Sequence, residues 1–270
     1  MPPTRPLRLA VQEQMLSGRN LSEKWEFAQS VGFDGIELRG EGELKFADRL
    51  PDITAARDAG AVISSVCVMM DHFIGDFDAE RRADAVANMK MLLSVIAEAG
   101  GLGAVTPAAF GLASRALPPF TVPRSREDDR AVLLDGLRQL GEHAAAEGVT
   151  VFLEPLNRYE DHMVNTLDQG VDLCRAVGLE SVRVIGDFFH MNIEEPDPAE
   201  SLRRAAPYIA HVQLGDSSRL EPGTGHVDFA AGIAALTDSG YGGWYAMECG
   251  LSGDPAQVLP AVSAYLRGGR

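Results

Sequence analysis

Four oxygen-bearing side chains, Glu154, Asp187, Gln213 and Glu248, each stand at or near the end of a short apolar run. The runs are Val151-Phe152-Leu153, Val182-Arg183-Val184-Ile185, Ile209-Ala210-His211-Val212 and Tyr245-Ala246-Met247. The four side chains are 33, 26 and 35 residues apart, close to the length of one strand, turn, helix and return loop. Repeated on successive strands of a closed parallel barrel, that spacing brings all four to one mouth. Three carboxylates and one amide carbonyl are the donors a hard divalent cation takes. With a doubly charged ion the group carries about −1; without one, three crowded acids repel and at least one keeps its proton. Carboxylates on different strands can also flank a substrate. One glutamate removes the proton beside a carbonyl and a second returns one. Return to the opposite face gives epimerisation, and return to the adjacent carbon on the same face gives aldose-ketose isomerisation.

The elements needed to hold such a group alternate along the chain. Strands are expected at 7–11, 35–38, 61–69, 104–110, 150–156, 182–187, 209–214 and 244–248. Helices are expected at 21–30, 53–59, 79–99, from Ser125 onward, and at 166–177, 197–208, 228–239 and 254–266. Val86, Met89, Leu93 and Ile96 form a helical stripe, as do Leu133, Leu137, Leu140 and Ala144. Eight strand-helix pairs with no break in composition imply a parallel sheet. In 270 residues they predict a single (β/α)8 TIM barrel, 1–270, since that fold takes about 250. Catalytic residues of such barrels lie at the C-terminal strand ends, where the four side chains fall. Loops 70–77 and 113–124, the second marked by Pro118, Pro119 and Pro123, are the expected lids.

Bulk properties narrow the partners. A net charge of −15, a pI near 4.8 and no run of Lys or Arg argue against nucleic acid. Cys67, Cys174 and Cys249 are widely spread with no CxxC, so neither a disulfide framework nor a zinc finger is expected; burial as small apolar residues is. No stretch approaches ~18 uncharged apolar residues, and residues 1–9 lack the apolar core of a signal peptide. A soluble cytoplasmic protein without a membrane span is expected.

Several segments resemble the sugar phosphate isomerase/epimerase family, whose barrel is of the xylose isomerase type. They are Leu153-Glu154-Pro155-Leu156-Asn157-Arg158-Tyr159-Glu160, Gly186-Asp187-Phe188-Phe189-His190-Met191-Asn192, His211-Val212-Gln213-Leu214-Gly215-Asp216-Ser217-Ser218-Arg219, Glu221 to Phe229, and Met247-Glu248-Cys249. The first half agrees in element order and in Gly35-Ile36-Glu37-Leu38. The resemblance implies that Glu154, Asp187, Gln213 and Glu248 bind a divalent metal ion, Mn2+, Mg2+ or Co2+, and that Glu154 and Glu248 are the acid/base pair. It implies that Glu160, His190 and Arg219 hold substrate oxygens. It also implies a homodimer or homotetramer. Ketose 3-epimerases of the family carry histidine where this chain has Gln213, whereas hydroxypyruvate isomerases carry glutamine. An all-oxygen ligand set favours Mn2+ or Mg2+ over Zn2+.

Two further residues are candidates for contact with the substrate: Glu37 on the second strand, and His211, two residues before Gln213 on the same strand face. Trp25, His72, Phe73 and Phe110 are candidates for an apolar wall. Gly223-Thr224-Gly225 lacks the context and lysine of a phosphate cradle, so an unphosphorylated substrate is expected. The reading is a divalent-metal-dependent isomerase or epimerase of a small ketose or related hydroxy-carbonyl compound, acting by proton transfer through an enediolate. The alternatives are a metal-dependent lyase of 3-oxo-sugars or 3-oxo-glycosides, favoured by a longer cleft, and a hydroxypyruvate isomerase. A DNA-repair barrel would need more metal-binding histidines and a basic surface. A non-catalytic sugar-binding scaffold would keep the same groups without turnover.

Overall fold

The computed structural model describes residues 7–113 and 121–268. Eight parallel strands, β1 (Arg8–Gln12), β2 (Gly35–Glu41), β3 (Ile63–Met69), β4 (Gly103–Pro107), β5 (Thr150–Glu154), β6 (Val182–Asp187), β7 (Ile209–Leu214) and β8 (Trp244–Met247), pair in sequence order. β8 then pairs with β1, closing the barrel. The outer helices are α1 (Leu21–Ser30), α2 (Leu50–Asp58), α3 (Ala79–Glu98), α4 (Arg126–Glu147), α5 (Leu167–Val177), α6 (Phe188–Glu194), α7 (Pro198–Ala205), α8 (Phe229–Asp238) and α9 (Pro255–Leu266). This is the (β/α)8 barrel expected from the alternation. Among the described residues, no helix is long and apolar enough to cross a membrane.

Polar caps set most of the helix starts. Side chains of Asn20, Asp78, Ser125, Thr166, Asp197, Asp228 and Asp254 accept first-turn backbone N–H groups. Each satisfies donors that would otherwise be unpaired, worth about 1 kcal/mol. Thr166 and Gln169 complete a reciprocal capping box. Strand β4 stops at Pro107, short of the expected 110, because the chain bends away there. Ala109 N–H donates to Asp161 Oδ2 at 3.2 Å instead of to a neighbouring strand.

α6 is the one helix absent from the periodic pattern. It begins at the residue after β6, with Asp187 as its cap: Oδ1 accepts His190 N–H at 2.9 Å. Seven residues are too few to show a helical period, and the absence of a loop hides the start.

Strand side chains alternate between two environments. One set, including Leu9, Val11, Leu38, Val66, Val151, Leu153, Val184, Val212 and Leu214, packs outward under the helices in the main core. The other fills the bore: Ala10, Trp244 and Ala246 form one cluster, and Cys67, Val105, Phe152 and Ile185 a second. One inward step further along β5 to β8 the rim residues are polar. Phe152 is followed by Glu154, Ile185 by Asp187, His211 by Gln213 and Ala246 by Glu248. The register pairs Asp187 with Gln213 and Pro107 with Glu154, and Glu248 N–H donates to Leu214 O at 3.0 Å. Apolar plug and polar rim therefore meet at one level, the C-terminal mouth.

Candidate active site

A cavity of about 560 Å³ opens at this mouth, and Gln12, Glu154, Glu160, His190, Arg219 and Glu248 are among its lining residues. Among the rim residues, four buried side-chain oxygens have no hydrogen-bond partner: Glu154 Oε1 and Glu248 Oε2, whose residues line the cavity, and Asp187 Oδ2 and Gln213 Oε1, whose residues lie outside its lining. They belong to the four residues singled out by spacing. A buried oxygen without a partner costs about 1–3 kcal/mol, more when charged, a cost that a bound cation would offset.

For three of the four residues the other polar atom is accounted for, which aims the orphan. Asp187 Oδ1 caps α6. Gln213 Nε2 donates to Glu37 Oε1 at 3.0 Å, leaving the carbonyl Oε1 as its remaining acceptor. Cys67 Sγ lies 3.5 Å from Glu248 Oε1 as a weak thiol donor. The donor set, three carboxylates and one amide oxygen, fits a hard divalent ion.

Burial pushes the pKa values of the three acids up, helped by repulsion from neighbouring carboxylates, the buried Glu37 among them, with the Arg219 guanidinium pulling the other way. Glu154 stands well above the ordinary carboxylate range, Asp187 is raised, and Glu248 reaches about 7. A cation bound among them would relieve that repulsion.

Beside the acids stand His190 and Arg219. Asn157 N–H donates to His190 Nδ1 at 3.1 Å. Burial and the neighbouring guanidinium push His190 down to about 3, which keeps the ring neutral. Arg219 Nη1 lies 3.0 Å from Nε2. Asn157 N–H and the Arg219 guanidinium thus both donate toward the one His190 ring, whose neutral form has a single acceptor nitrogen, and His190 and Arg219 both line the cavity. A His190 ring nitrogen lies within 4.8 Å of ligand atoms of Glu154 and Asp187, so these three residues form a group that could hold a metal ion. Glu160 Oε2 is 3.8 Å from His190 Nδ1, at the cavity wall.

Arg219 takes a left-handed backbone, φ 59°, at a cost of roughly 1–2 kcal/mol. Its N–H donates to Asp216 O at 2.8 Å and its carbonyl accepts from Gly250 N–H at 2.9 Å. The guanidinium lies over the Phe189 ring, 4.4 Å from the centroid. The Asp216 carboxylate is not its partner; it accepts the backbone N–H groups of Ser217, Gly223 and Val227.

Glu37 and His211 depart from the expectation of contact with substrate. Both are buried beneath the cavity and absent from its lining. Glu37 accepts from Gln12 at 3.0 Å, Ser65 at 2.6 Å and Gln213 at 3.0 Å, and lies 2.8 Å from His211 Nε2. His211 stacks on Phe152 with centroids 5.3 Å apart. One inward step lower on its strand than Gln213, His211 meets the barrel plug instead of the opening. This layer fixes the Gln213 amide. Glu37→Gln should let that amide flip, lowering divalent-ion affinity about 10- to 100-fold, as read by calorimetric titration; unchanged affinity refutes the role.

Of the wall candidates, Phe73 and Phe110 line the cavity, their rings 6.1 Å apart. Trp25 packs in the outer core, and His72 pairs with Asp84 at 2.7 Å away from the cavity. Met70 and Asp71 of loop 70–77 reach the wall. Of loop 113–124, residues 114–120, with Pro118 and Pro119, lie outside the described residues. Gln12, Gln14, Arg39, Cys67 and Met69 also line the cavity and were not foreseen there. Strand-end logic, applied to β1–β3 as it was to β5–β8, would have found Gln12, Arg39 and Met69.

A closed eight-stranded barrel with an acid-rich floor at its C-terminal mouth belongs to a recognised class. The chain is a member of the xylose isomerase-like TIM barrel family, whose profile matches residues 25–268. It is 38% identical over 263 residues to 3-dehydro-D-guloside 4-epimerase of Escherichia coli, covering 97% of this chain and 99% of that one. It is 29% identical over 232 residues to D-psicose 3-epimerase of Agrobacterium fabrum, covering 83% and 77%. The crystal structure of the apo form of 3-keto-D-glucoside 4-epimerase from E. coli superposes with a TM-score of 0.91, at 38% identity and 97% and 99% coverage.

Proposed function

We propose that the protein is a divalent-metal-dependent sugar epimerase acting beside a ketone, with a 3-oxo-glycoside as substrate and C4 as the inverted centre. The observation that carries this is the set of four buried, partnerless oxygens of Glu154, Asp187, Gln213 and Glu248 under a cavity flanked by two glutamates. The full-length similarity to a 3-dehydro-D-guloside 4-epimerase favours a 3-oxo-glycoside over a free ketose; Gln213, where the resemblance implies histidine in ketose 3-epimerases, speaks against a ketose 3-epimerase and is shared with hydroxypyruvate isomerases.

In this reading Glu154, Asp187, Gln213 and Glu248 hold Mn2+, Mg2+ or Co2+. The ion supplies positive charge beside the ketone oxygen, worth several kcal/mol as that oxygen becomes anionic. His190 and Arg219 donate to substrate oxygens and set the ring's orientation, with Glu160 accepting from a hydroxyl. Glu154, on β5, and Glu248, just after β8, approach the ring from different sides. One takes the C4 proton, and the C–H electron pair passes to the C3 oxygen as an enediolate forms. The other delivers a proton to the opposite face of C4, restoring the ketone. The net change is inversion at C4, with no atom gained or lost but the exchanged hydrogen.

A lyase using the same proton abstraction would remove the C2 proton and expel the C1 substituent. Turnover of a methyl 3-oxo-glycoside in D2O with Mn2+ separates these readings. Deuterium at C4 of both epimers is expected. Release of methanol would favour the lyase, and label only at C3 of free ketoses would favour a ketose 3-epimerase.

A further inference from the structure

We propose that the β1–β3 side of the cavity is a subsite for a second, neutral, hydroxyl-rich unit attached to the reacting sugar, with Arg39 as its specificity-determining residue. This rests on the epimerase reading for the reacting ring but uses a different wall.

In a closed barrel of sequential strands, β1, β2 and β3 face β5, β6 and β7 across the mouth. Glu154, His190, Arg219 and Glu248 all belong to the β5–β8 side. A sugar ring seated against them points its far substituent toward β1–β3. Arg39 stands there, one inward step along β2 from Glu37, and lines the cavity.

Among the described residues, the Arg39 guanidinium meets no oxygen acceptor; its hydrogen-bond partner is the Met69 thioether, a weak acceptor. The nearby acid Glu13 does accept Arg39's backbone N–H at 2.8 Å. Its carboxylate is otherwise held by Arg49 at 2.7 and 2.8 Å, with Lys24 3.5 Å away. A guanidinium has five donors in a fixed plane, and a sulfur leaves most of them for a ligand.

The rest of the wall selects the ligand's chemistry. Gln14 contributes an amide, Asp71 a carboxylate, and Met70 and Phe73 apolar surface. Donors and acceptors beside apolar faces suit a carbohydrate, which has hydroxyls at its edges and C–H groups on its faces. Asp71 on the same wall disfavours an anionic substituent. At ~30 Å³ per water, 560 Å³ holds about nineteen waters, more than the dozen or so non-hydrogen atoms of one hexose but fewer than the roughly two dozen of a disaccharide, so part of the second unit would stand at the open mouth.

The test compares a 3-oxo-disaccharide, a methyl 3-oxo-glycoside and a 3-oxo-glycoside with a carboxylate-bearing aglycone on the wild type, Arg39→Leu and Arg39→Lys, all loaded with Mn2+. The wild type should favour the disaccharide in kcat/KM. Arg39→Leu should lower the ratio of disaccharide to methyl glycoside about 10- to 100-fold, with Arg39→Lys in between. Calorimetry with the corresponding unoxidised disaccharide and methyl glycoside, which need no turnover, should give the same ordering in Kd. Equal losses on both ligands, or no loss on either, overturn the subsite. Wild-type preference for the carboxylate-bearing ligand, abolished in Arg39→Leu, overturns the neutral unit. If no substrate turns over while the binding preference for the disaccharide and its dependence on Arg39 persist, the subsite stands and the epimerase reading fails.

Discussion

Glu154→Gln and Glu248→Gln should each reduce kcat about 10²- to 10⁴-fold, the usual contribution of a positioned general acid or base. The amide keeps the size and one oxygen of the side chain but cannot accept the migrating proton. Both residues also supply cavity-floor oxygens without partners, so the variants must be assayed at saturating Mn2+. Sugar binding, by calorimetry, should stay within about tenfold of wild type, since His190, Arg219 and Glu160 remain in place. A variant that keeps more than a tenth of the wild-type kcat would show that its glutamate does not carry the proton. Solvent-deuterium exchange adds a finer expectation. If each glutamate serves one face, each variant should retain slow exchange from only one epimer, and the two variants should retain opposite ones.

Removing the divalent ion should have the next largest effect. Chelation is expected to abolish turnover, and Mn2+, Mg2+ or Co2+ to restore it. An ion present at a hundred times its Kd adds ~2.7 kcal/mol to stability. For a chain of this size that is a melting shift of about 5–10 °C. The ion-free protein should also show an unusual pH response. In the fold Glu248 keeps its proton to about 7, against an ordinary 4.5, and Glu154 and Asp187 shift the same way. Between those pH values the folded state binds more protons than the unfolded one, so stability falls as pH rises. Melting of the chelated protein should therefore drop as pH goes from about 4.5 to 7, and added Mn2+ should recover most at the upper end, where the carboxylates are free to bind it. A chelated protein that is most stable at pH 7, or one that keeps its activity, would contradict an ion-binding floor.

Much of this site could be read from the chain because a barrel converts sequence period into position. Apolar runs about thirty residues apart become neighbouring strands, and a polar residue ending each run arrives at one rim. Glu154, Asp187, Gln213 and Glu248 were found that way, and the structure brings their free oxygens together. His190 followed from its distance to Asp187, though its place in a helix did not. α6 is too short to show a period and starts with no loop before it.

Depth along the bore was the part that sequence could not supply. Glu37 and His211 share a strand face with Arg39 and Gln213, and strand alternation alone assigns them to the same interior. Only the stagger of the strands in the closed barrel puts Glu37 beside His211, Ser65 and Gln213 below the opening, and Arg39 above it on the wall. The two faces of a strand are determined locally, by alternation of apolar and polar residues. The level at which an inward side chain meets those of the other strands depends on register between segments far apart in the chain. It decides whether a given acid faces substrate, ion or core.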